Sequence, residues 1–375
     1  MTCKLIDICE LVGDTTSYSA SRNDSYVSTE NMIPMKGGIT VSESIPSSGS
    51  VRIYHRNDVL ISNIRPYFKK IWFADKCGTC SNDVLVFRAK GMCEPYYLFS
   101  LLSDDSFFNY VVSTSKGTKM PRGDKDAIMK YEFDEKGPEE QKCIASFVRS
   151  IDSLIEKNCL INDYLVEIAQ ELFTEQFGAM LLDDEPPAGW KKGRYDDIIT
   201  IHDSKRIPLS GNERENMDRI YPYYGAASVA GYVDDYIFDG VYLLFGEDGT
   251  VIDEKGNPSL QYVWGKFWVN NHAHILTGRN GFSVESLFLL SKQLKVESII
   301  TGAVQPKISQ NSMKNVALNI PPEYIISSFD EVIAPIFDQY RNNCDENQRL
   351  SILRDTLLPK LMSGEIDVSN LDLSS

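Results

Sequence analysis

The sequence predicts an α+β fold with two similar globular halves, each followed by a long helix, and the two helices paired as an antiparallel coiled coil. Three observations lead to this prediction: the chain repeats itself, each half begins with short β-rich segments, and each half ends in a long helical segment. At 375 residues the chain also exceeds a typical single domain, so we expect more than one hydrophobic core.

The internal repeat is visible at matching landmarks in the two halves. Residues 117–121, a Gly-x-x-x-Pro motif, correspond to residues 302–306, and Leu172 corresponds to Leu357; both separations are 185 positions. Earlier landmarks agree with a separation that is four or five residues larger, as loop insertions between them would produce. A fixed period of this kind indicates a tandem of two related domains.

Each half is predicted to be β-rich first and helical afterwards. Short apolar and β-branched runs bounded by polar turns predict strands, at 58–62, 70–74 and 83–88 in the first half and at 241–245 and 266–269 in the second. An amphipathic helix follows in each half, at about 96–111 and about 284–296. The Gly-x-x-x-Pro loop and a long helix complete each half.

These features divide the chain into six predicted segments. Acidic residues and adjacent prolines at 183–189 disfavour helix and sheet, which indicates a linker there. The segments are a first globular domain (1–133), a first long helix (138–178), the linker (179–188), a second globular domain (189–322), a second long helix (323–366) and a tail (367–375).

The long helices carry the 4-3-4-3 spacing of a coiled-coil seam. The predicted seam consists of Phe147, Ile151, Leu154, Asn158, Ile161, Leu165, Ile168 and Leu172 in the first helix, and Phe329, Ile333, Ile336, Tyr340, Asn343, Asn347 and Leu350 in the second. Asn158 and Asn343 lie 185 positions apart, so we expect them to face each other and fix the register. Pro335 is expected to start or kink the second helix. The alternative is two surface helices, each packed on its own domain.

The acidic residues are concentrated in two stretches. The chain has a net charge of −15, but residues 131–186 contribute −10 and residues 323–375 contribute −6, which leaves +1 for everything else. The total charge therefore does not exclude nucleic acid as a partner.

Two similar domains on a helical spacer suit a partner with two separated sites. A helix from 147 to 172 spans about 39 Å at about 1.5 Å per residue, close to the roughly 34–36 Å of one turn of B-DNA. The arrangement therefore fits a bipartite DNA site with an ignored middle. The same spacing could also hold two protein partners.

Basic and amide side chains in the loops favour DNA. Cations neutralise phosphates, and glutamine and asparagine can bond adenine edges. Surface loops also carry such residues without binding nucleic acid, and this alternative applies to each residue. The candidate DNA-contacting residues are Arg65, Lys69, Lys70, Lys116, Gly117, Lys119, Arg122, Lys125 and Lys130 in the first half, and Gln305, Lys307, Gln310, Asn311 and Lys314 in the second.

No motif in the sequence predicts catalysis, a metal or a cofactor. There is no phosphate-binding Gly-x-x-x-x-Gly-Lys-Ser/Thr loop and no methyltransferase motif. The pair Cys77 and Cys80 lacks further ligands, and so does the pair His272 and His274. We expect no catalytic residues and no membrane span. Free thiols in the reducing cytoplasm are expected, because no secretion signal accompanies the scattered cysteines.

Several strings resemble the specificity subunits of Type I restriction–modification systems, and together they extend over nearly the whole chain. The most specific is the ending LRDTLLPKLMSGEI at 353–366, which is similar to the end of that family's C-terminal helix. The string PEEQ at 138–141 resembles the opening of the family's first helical spacer. Further strings resemble its target-recognition domains, at 59–66, 81–87, 221–226, 236–240 and 246–249.

The resemblance implies more than the residues themselves predict. It implies two target-recognition domains, each of which reads half of a split double-stranded DNA sequence through the major groove. It implies paired helices that set the spacing and dock two methyltransferase subunits, which methylate adenine within the half-sites, while restriction subunits complete an ATP-dependent nuclease. The chain itself is then non-catalytic. The alternative is a scaffold or inhibitor that imitates a specificity subunit, but a DNA mimic would place its acidic residues in the loops.

Overall fold

The computed structural model describes residues 2–91, 93–183, 185–253, 256–302 and 305–366. The predicted tail at 367–375 lies outside these residues. Contacts divide the chain into a first unit, Met1–Lys157 with Glu346–Ser375, and a second unit, Asn158–Asp345. Each unit combines two four-stranded sheets, one two-stranded sheet and several helices within its described residues, which is the α+β class that the sequence predicts.

The first unit begins with ten short strands and four short helices. The strands are β1 (Thr2–Lys4), β2 (Cys9–Leu11), β3 (Thr15–Ser17), β4 (Tyr26–Val27), β5 (Ser50–Tyr54), β6 (Val59–Ser62), β7 (Ile71–Phe73), β8 (Gly78–Cys80), β9 (Val84–Ala89) and β10 (Glu132–Asp134). The helices are α1 (Leu5–Ile8), α2 (Pro95–Ser103), α3 (Asp105–Ser113) and α4 (Lys125–Ile128), and the long helix α5 (Pro138–Gln176) follows.

Strand β6 forms the centre of this unit. The sheet β2-β9-β6-β7 is antiparallel throughout and packs against the sheet β3-β5-β8-β4. Because successive side chains of a strand point to opposite faces, Val59 and Ile61 pack with the α2 and α3 side, whereas Leu60 packs toward Tyr54 and Cys80 of the other sheet. A strand buried on both faces explains the continuous apolar run in the sequence.

The second unit repeats this plan. Its strands are β11 (Lys191–Arg194), β12 (Ile199–Ile201), β13 (Tyr221–Tyr224), β14 (Val229–Val233), β15 (Phe238–Asp239), β16 (Tyr242–Gly246), β17 (Leu260–Val263), β18 (Lys266–Val269), β19 (Ala273–Gly278) and β20 (Ala317–Ile320). Its helices are α6 (Gly211–Glu215), α7 (Val284–Ser291), α8 (Gln310–Lys314) and the first part of α9 (Glu323–Ser363), whose residues from Glu346 onward belong to the first unit.

The central strand of the second unit is β16, which occupies the place of β6. The sheet order β12-β19-β16-β17 matches β2-β9-β6-β7 of the first unit, and β11-β20 matches β1-β10. Leu243 and Phe245 pack with the helical side, whereas Leu244 packs with Phe267 and Val269 of the other sheet. The two halves are thus repeats in topology and in the orientation of their central strands.

Two predicted helices are shorter in the structure than in the prediction. The segment predicted as one helix at about 96–111 is two helices, because Asp104 ends α2 and caps α3 by accepting a hydrogen bond from the backbone N–H of Ser106 (2.7 Å). The helix predicted at about 284–296 ends at Ser291.

The two long helices contact each other within each unit. In the first unit, Arg354 of α9 pairs with Asp152 of α5 at 2.7 Å, and Asn347 Nδ2 donates to the carbonyl oxygen of Ile155 at 3.4 Å. In the second unit, the side chains of Asn162 and Asn343 are hydrogen-bonded. Residue numbers rise along α5 as they fall along α9, so the segments run antiparallel in each unit. Among the described residues, no helix is long and apolar enough to cross a membrane.

One of the two residue columns in the predicted seam of α5, the one with Leu154 and Ile161, is displaced by one residue, whereas the other, with Ile151 and Leu165, keeps its place. Leu154 and Ile161 are 47% and 45% exposed, so their predicted seam positions were wrong. Ile151 is buried, and Leu165 and Leu350 are half-buried.

The predicted pairing of Asn158 with Asn343 was also wrong. Asn343 Nδ2 donates instead to Asn162 Oδ1 at 2.8 Å. The physical reason is that α5 carries two adjacent columns at heptad spacing. The column Val148, Ile155, Asn162 and Ala169 is the one that turns inward.

Pro335 was expected either to start the second long helix or to kink it, and the structure excludes the start. Helix α9 begins at Glu323, where the predicted helical segment 323–366 also begins, so Pro335 lies inside it, on the exposed side. Proline lacks a backbone N–H, so the turn at Pro335 has one hydrogen bond fewer than a regular helical turn.

Candidate nucleic-acid interface

Each unit contains a short loop closed by the same backbone pairing. In the first bridged loop (116–122), the N–H of Lys116 donates to Arg122 at 2.8 Å and the N–H of Arg122 donates to Lys116 at 2.9 Å. In the second bridged loop (301–307), Thr301 and Lys307 exchange the same two bonds at 2.9 and 2.8 Å. The repeat detected in the sequence is therefore a repeat of one loop geometry.

The glycine of each motif has the conformation that the loop requires. Gly117 has φ +94° and Gly302 has φ +86°, in the region that side chains disfavour. A Cβ on Gly302 would lie 2.4 Å from the carbonyl oxygen of Gln305, whereas the nearest atom to a Cβ on Gly117 is 3.4 Å away. Position 302 therefore has less room for a side chain than position 117.

Both loops are also held by the segment that follows the central strand. The N–H of Arg65 donates to the carbonyl oxygen of Pro121 at 2.8 Å, and the N–H of Gly249 donates to that of Pro306 at 3.0 Å. Arg65 and Gly249 both have positive φ, +50° and +80°. The bridged loops are therefore hydrogen-bonded to the segments that leave the central strands, as expected for a recognition element on a scaffold.

The basic side chains of the first bridged loop face solvent. Lys119 and Lys125 are exposed and make no ion pair within the described residues. Lys116 pairs with Asp124 at 2.5 Å and Arg122 with Asp83 at 3.1 Å. The hydrogen bond from Lys116 holds the pKa of Asp124 below its usual value.

The other predicted contacts of the first unit divide into two groups. Arg65 and Lys130 are exposed. Lys69, in contrast, pairs with Asp105 at 2.8 Å, and Lys70 Nζ donates to the carbonyl oxygen of Thr29 at 2.6 Å. Burial lowers the pKa of Lys70. Both lysines are therefore already bonded to groups of the protein itself.

A pocket joins the two basic segments of the first unit. It has a volume of about 370 Å³. Its lining consists of Thr29, Glu30, Ser62, Ile64, Arg65, Phe68, Lys70, Asp83 and Met120. The segment after β6 and the first bridged loop thus form one polar surface.

In the second unit, some of the predicted DNA-contacting residues are exposed, and others are bonded to side chains of the protein itself. Gln305 and Asn311 are exposed. Lys307 pairs with Glu247 at 3.1 Å and Lys314 with Asp196 at 3.5 Å. Gln310 is half-buried, and its Nε2 donates to Asp203 Oδ2 at 2.5 Å.

Asp203 and Glu247, which the sequence did not single out, form a charged cluster under the second bridged loop. Burial acts to raise the pKa of Asp203, but hydrogen bonds from His274 and the backbone of Ile275 outweigh it and hold that pKa low. Burial likewise opposes the low pKa of Glu247, which a hydrogen bond from Arg206 and the charge of His274 maintain. The sequence placed His272 and His274 together as a weak candidate for a metal site. In the structure their side chains have different partners, because His272 is bonded to Asp248 and His274 to Asp203.

Among the described residues, three side chains of this cluster lie close enough together to bind a metal ion. One donor atom from each of Asp203, Glu247 and His274 lies within 4.8 Å of the others. Arg206 and Lys307 already pair with these carboxylates, so we assign no metal. Cys77 is exposed whereas Cys80 is buried in β8, so the two thiols do not share one environment.

Comparison with known proteins identifies a domain family in the second half of the chain. Residues 187–353 match the Type I restriction modification DNA specificity domain. The chain is 24% identical over 364 residues to the Type I restriction enzyme MjaIX specificity subunit of Methanocaldococcus jannaschii, covering 90% of this chain and 84% of that one. Residues 187–353 are thus a Type I DNA specificity domain, and the chain is similar to a Type I specificity subunit over most of its length.

Two further comparisons give related matches. A putative Type I restriction enzyme specificity subunit of Haemophilus influenzae is 29% identical over 133 residues, which cover 36% of this chain and 33% of that one. The crystal structure of a Type I restriction–modification S subunit from M. genitalium aligns with a TM-score of 0.54 over 96% of each chain, at 16% identity. The second comparison shows that the two chains share a fold.

These similarities confirm the resemblance that the sequence strings carried. The matched domain is a DNA specificity domain, so the function that it implies is recognition of a DNA target. The bridged loops combine a fixed backbone with exposed basic or amide side chains in both units. They are therefore the candidate nucleic-acid interface.

Proposed function

We propose that this chain is a Type I specificity subunit, which recognises a bipartite double-stranded DNA site and directs methyltransferase and restriction subunits to it. The observation that carries the proposal is the duplication of one loop geometry, with the same two backbone hydrogen bonds at 116–122 and at 301–307. A duplicated reader serves a site with two separated halves. In this proposal the chain positions its partners and performs no chemistry.

The two loops differ in side chains, and we infer that the two half-sites differ in sequence. The first bridged loop offers Lys119 and Arg122, which suit guanine edges and phosphates. The second offers Gln305, with Asn311 close behind it on α8, and amides suit adenine edges. An asymmetric bipartite site follows.

We propose the same domain roles that the sequence suggests. Segments 1–133 and 189–322 act as target-recognition domains, and 138–178 and 323–366 act as helical spacers joined through the linker at 179–188. The bounds of α5 and α9 support the two spacers. The bridged loops lie in the two proposed recognition domains, which supports that assignment.

The partner surface is proposed on the helices. In the second unit, α5 exposes Ile161, Tyr164 and Ile168, which are 45%, 55% and 47% accessible. Their spacing places them on one side of the helix, next to the face that contacts α9. Exposed large apolar side chains in a row are typical of an interaction surface. We propose that a methyltransferase subunit covers them.

Methylome sequencing tests the proposal. Cells would express the chain with its candidate methyltransferase, the methyltransferase alone, and the chain alone. The expected result is a split, adenine-methylated motif that appears only when both proteins are present. If no motif appears although the methyltransferase is active with another specificity subunit, the proposal is wrong, and the scaffold or inhibitor alternative gains support.

A further inference from the structure

A buried histidine connects the core of the second unit to the second bridged loop. His274 on β19 is fully buried. Its Nδ1 lies 2.6 Å from Asp203 Oδ2, and its Nε2 lies 2.9 Å from the carbonyl oxygen of Ile308. Ile308 directly follows the loop, so the ring contacts the end of the proposed recognition element.

Both ring nitrogens of His274 face hydrogen-bond acceptors. The carbonyl oxygen of Ile308 can only accept. Hydrogen bonds outweigh burial and hold the pKa of Asp203 low, so its side chain is a carboxylate. Its Oδ1 accepts from the N–H of Ile275 at 2.9 Å and its Oδ2 accepts from Gln310 Nε2 at 2.5 Å. Donation from the ring to both Asp203 and Ile308 requires a proton on each ring nitrogen, which is the imidazolium form of His274.

Further charged groups surround the imidazolium. Arg206 Nη1 donates to Glu247 Oε2 at 2.7 Å and to the carbonyl oxygen of Ala273 at 2.8 Å. His274 Nδ1 lies 3.6 Å from Glu247 Oε2, and Lys307 of the loop pairs with Glu247 at 3.1 Å. We call Asp203, Arg206, Glu247, His274 and Lys307 the anchor network.

The first unit builds the same backbone without this network. Ile61 of β6 pairs with Leu85, as Phe245 of β16 pairs with His274, so a buried leucine takes the place of the histidine. The N–H of Gly123 donates to the carbonyl oxygen of Asn63, as that of Ile308 donates to that of Glu247. The fold therefore does not need a buried imidazolium, which is costly to desolvate.

We propose that His274 and Asp203 are positioning residues for DNA readout by the second unit, an inference that rests on the proposed function. His274 fixes the backbone at Ile308, and Asp203 fixes the start of α8 through Gln310. These two attachments hold Gln305 and Asn311 in one geometry relative to the base edges. Readout by amides depends on such fixed geometry, because each amide makes two directed hydrogen bonds to adenine.

The test is the effect of His274→Leu on half-site discrimination. The variant copies Leu85 of the first unit and would be assayed as the complex with the methyltransferase. Binding is measured to the cognate duplex and to duplexes with single base-pair changes in either half-site. We expect discrimination to fall about ten-fold in the half-site read by the second unit, since a charge-assisted hydrogen bond is lost. Discrimination in the other half-site should be unchanged.

Two further variants separate positioning from folding. Asp203→Asn keeps the side-chain shape and is expected to impair the same half-site. Glu285→Gln removes an ion pair with Arg341 at 2.7 Å in the same unit, distant in sequence from the loop and outside the network, and should leave both half-sites unchanged. An equal loss in both half-sites, or the same loss in Glu285→Gln, would overturn the inference.

A rescue variant adds a readout that a packing role would not change. His274→Gln keeps a side-chain N–H that can donate to the carbonyl oxygen of Ile308, and it is expected to restore part of the discrimination that His274→Leu loses. A His274→Gln variant that discriminates no better than His274→Leu would refute the inference. If the unmodified complex reads no split site at all, the proposed function itself fails.

Discussion

Neutralising the exposed cations of the first unit should change how DNA binding depends on salt. The perturbation is the triple variant Lys119→Ala, Arg122→Ala and Lys125→Ala. All three side chains are exposed, and Arg122 also forms an ion pair with Asp83 at 3.1 Å. Each cation that contacts a phosphate contributes about 0.9 to the slope of log K against log salt concentration.

The magnitude follows from this count of contacts. Three phosphate contacts predict a slope that is about 2.7 shallower in the variant, and the pairing of Arg122 with Asp83 reduces this to about 1.8–2.7. Between about 50 and 200 mM salt, the unmodified complex should then lose roughly 12–42-fold more affinity than the variant.

The assay is a fluorescence-anisotropy titration of the cognate duplex at four salt concentrations, with the methyltransferase present. The matched control is Lys4→Ala, Lys76→Ala and Lys142→Ala, which removes the same formal charge from exposed positions of the same unit. We expect the control to keep the unmodified slope. A triple loop variant with the unmodified slope would show that these residues do not contact phosphates.

Four further predictions concern single features of the structure. Gly302→Ala should weaken binding at least ten-fold in a duplex titration, because its Cβ would meet the carbonyl oxygen of Gln305 at 2.4 Å; unchanged affinity would show that this loop tolerates strain. Asn162→Leu should lower the free energy of unfolding in urea by about 1–3 kcal/mol, because the buried Nδ2 group of Asn343 loses Asn162 Oδ1 as its acceptor. The variant with leucine at both positions should recover most of this loss, and no recovery would contradict the pairing. A heptad inserted into both long helices should lengthen the methylated motif's spacer by about three base pairs, from about 10.5 Å of helix and about 3.4 Å per pair; a fixed spacer would exclude the helices as the ruler. Ile161→Asp should weaken capture of the methyltransferase in a pull-down without weakening thermal stability, and undiminished capture would exclude this docking surface.

The sequence alone predicted the repeat, the class of fold, the central strands and the paired loops. These features depend on local patterns. A buried strand needs a continuous apolar run such as that of β6, and a tight loop needs glycine at a left-handed position such as Gly302. The position of both loops 185 residues apart could be read directly, because repeated geometry leaves a repeated spacing.

The phase of the helix contact and the charge network were decided only by the tertiary structure. Helix α5 presents two columns with the same period, and periodicity cannot distinguish them; burial against α9 selects the column with Asn162. His274, Asp203 and Glu247 come from separate segments and carry no common spacing. Their contact arises because strand pairing and loop closure bring distant residues within hydrogen-bonding distance. Local propensity determines which helices and strands form. Which side chains come into contact is determined only when those helices and strands pack together.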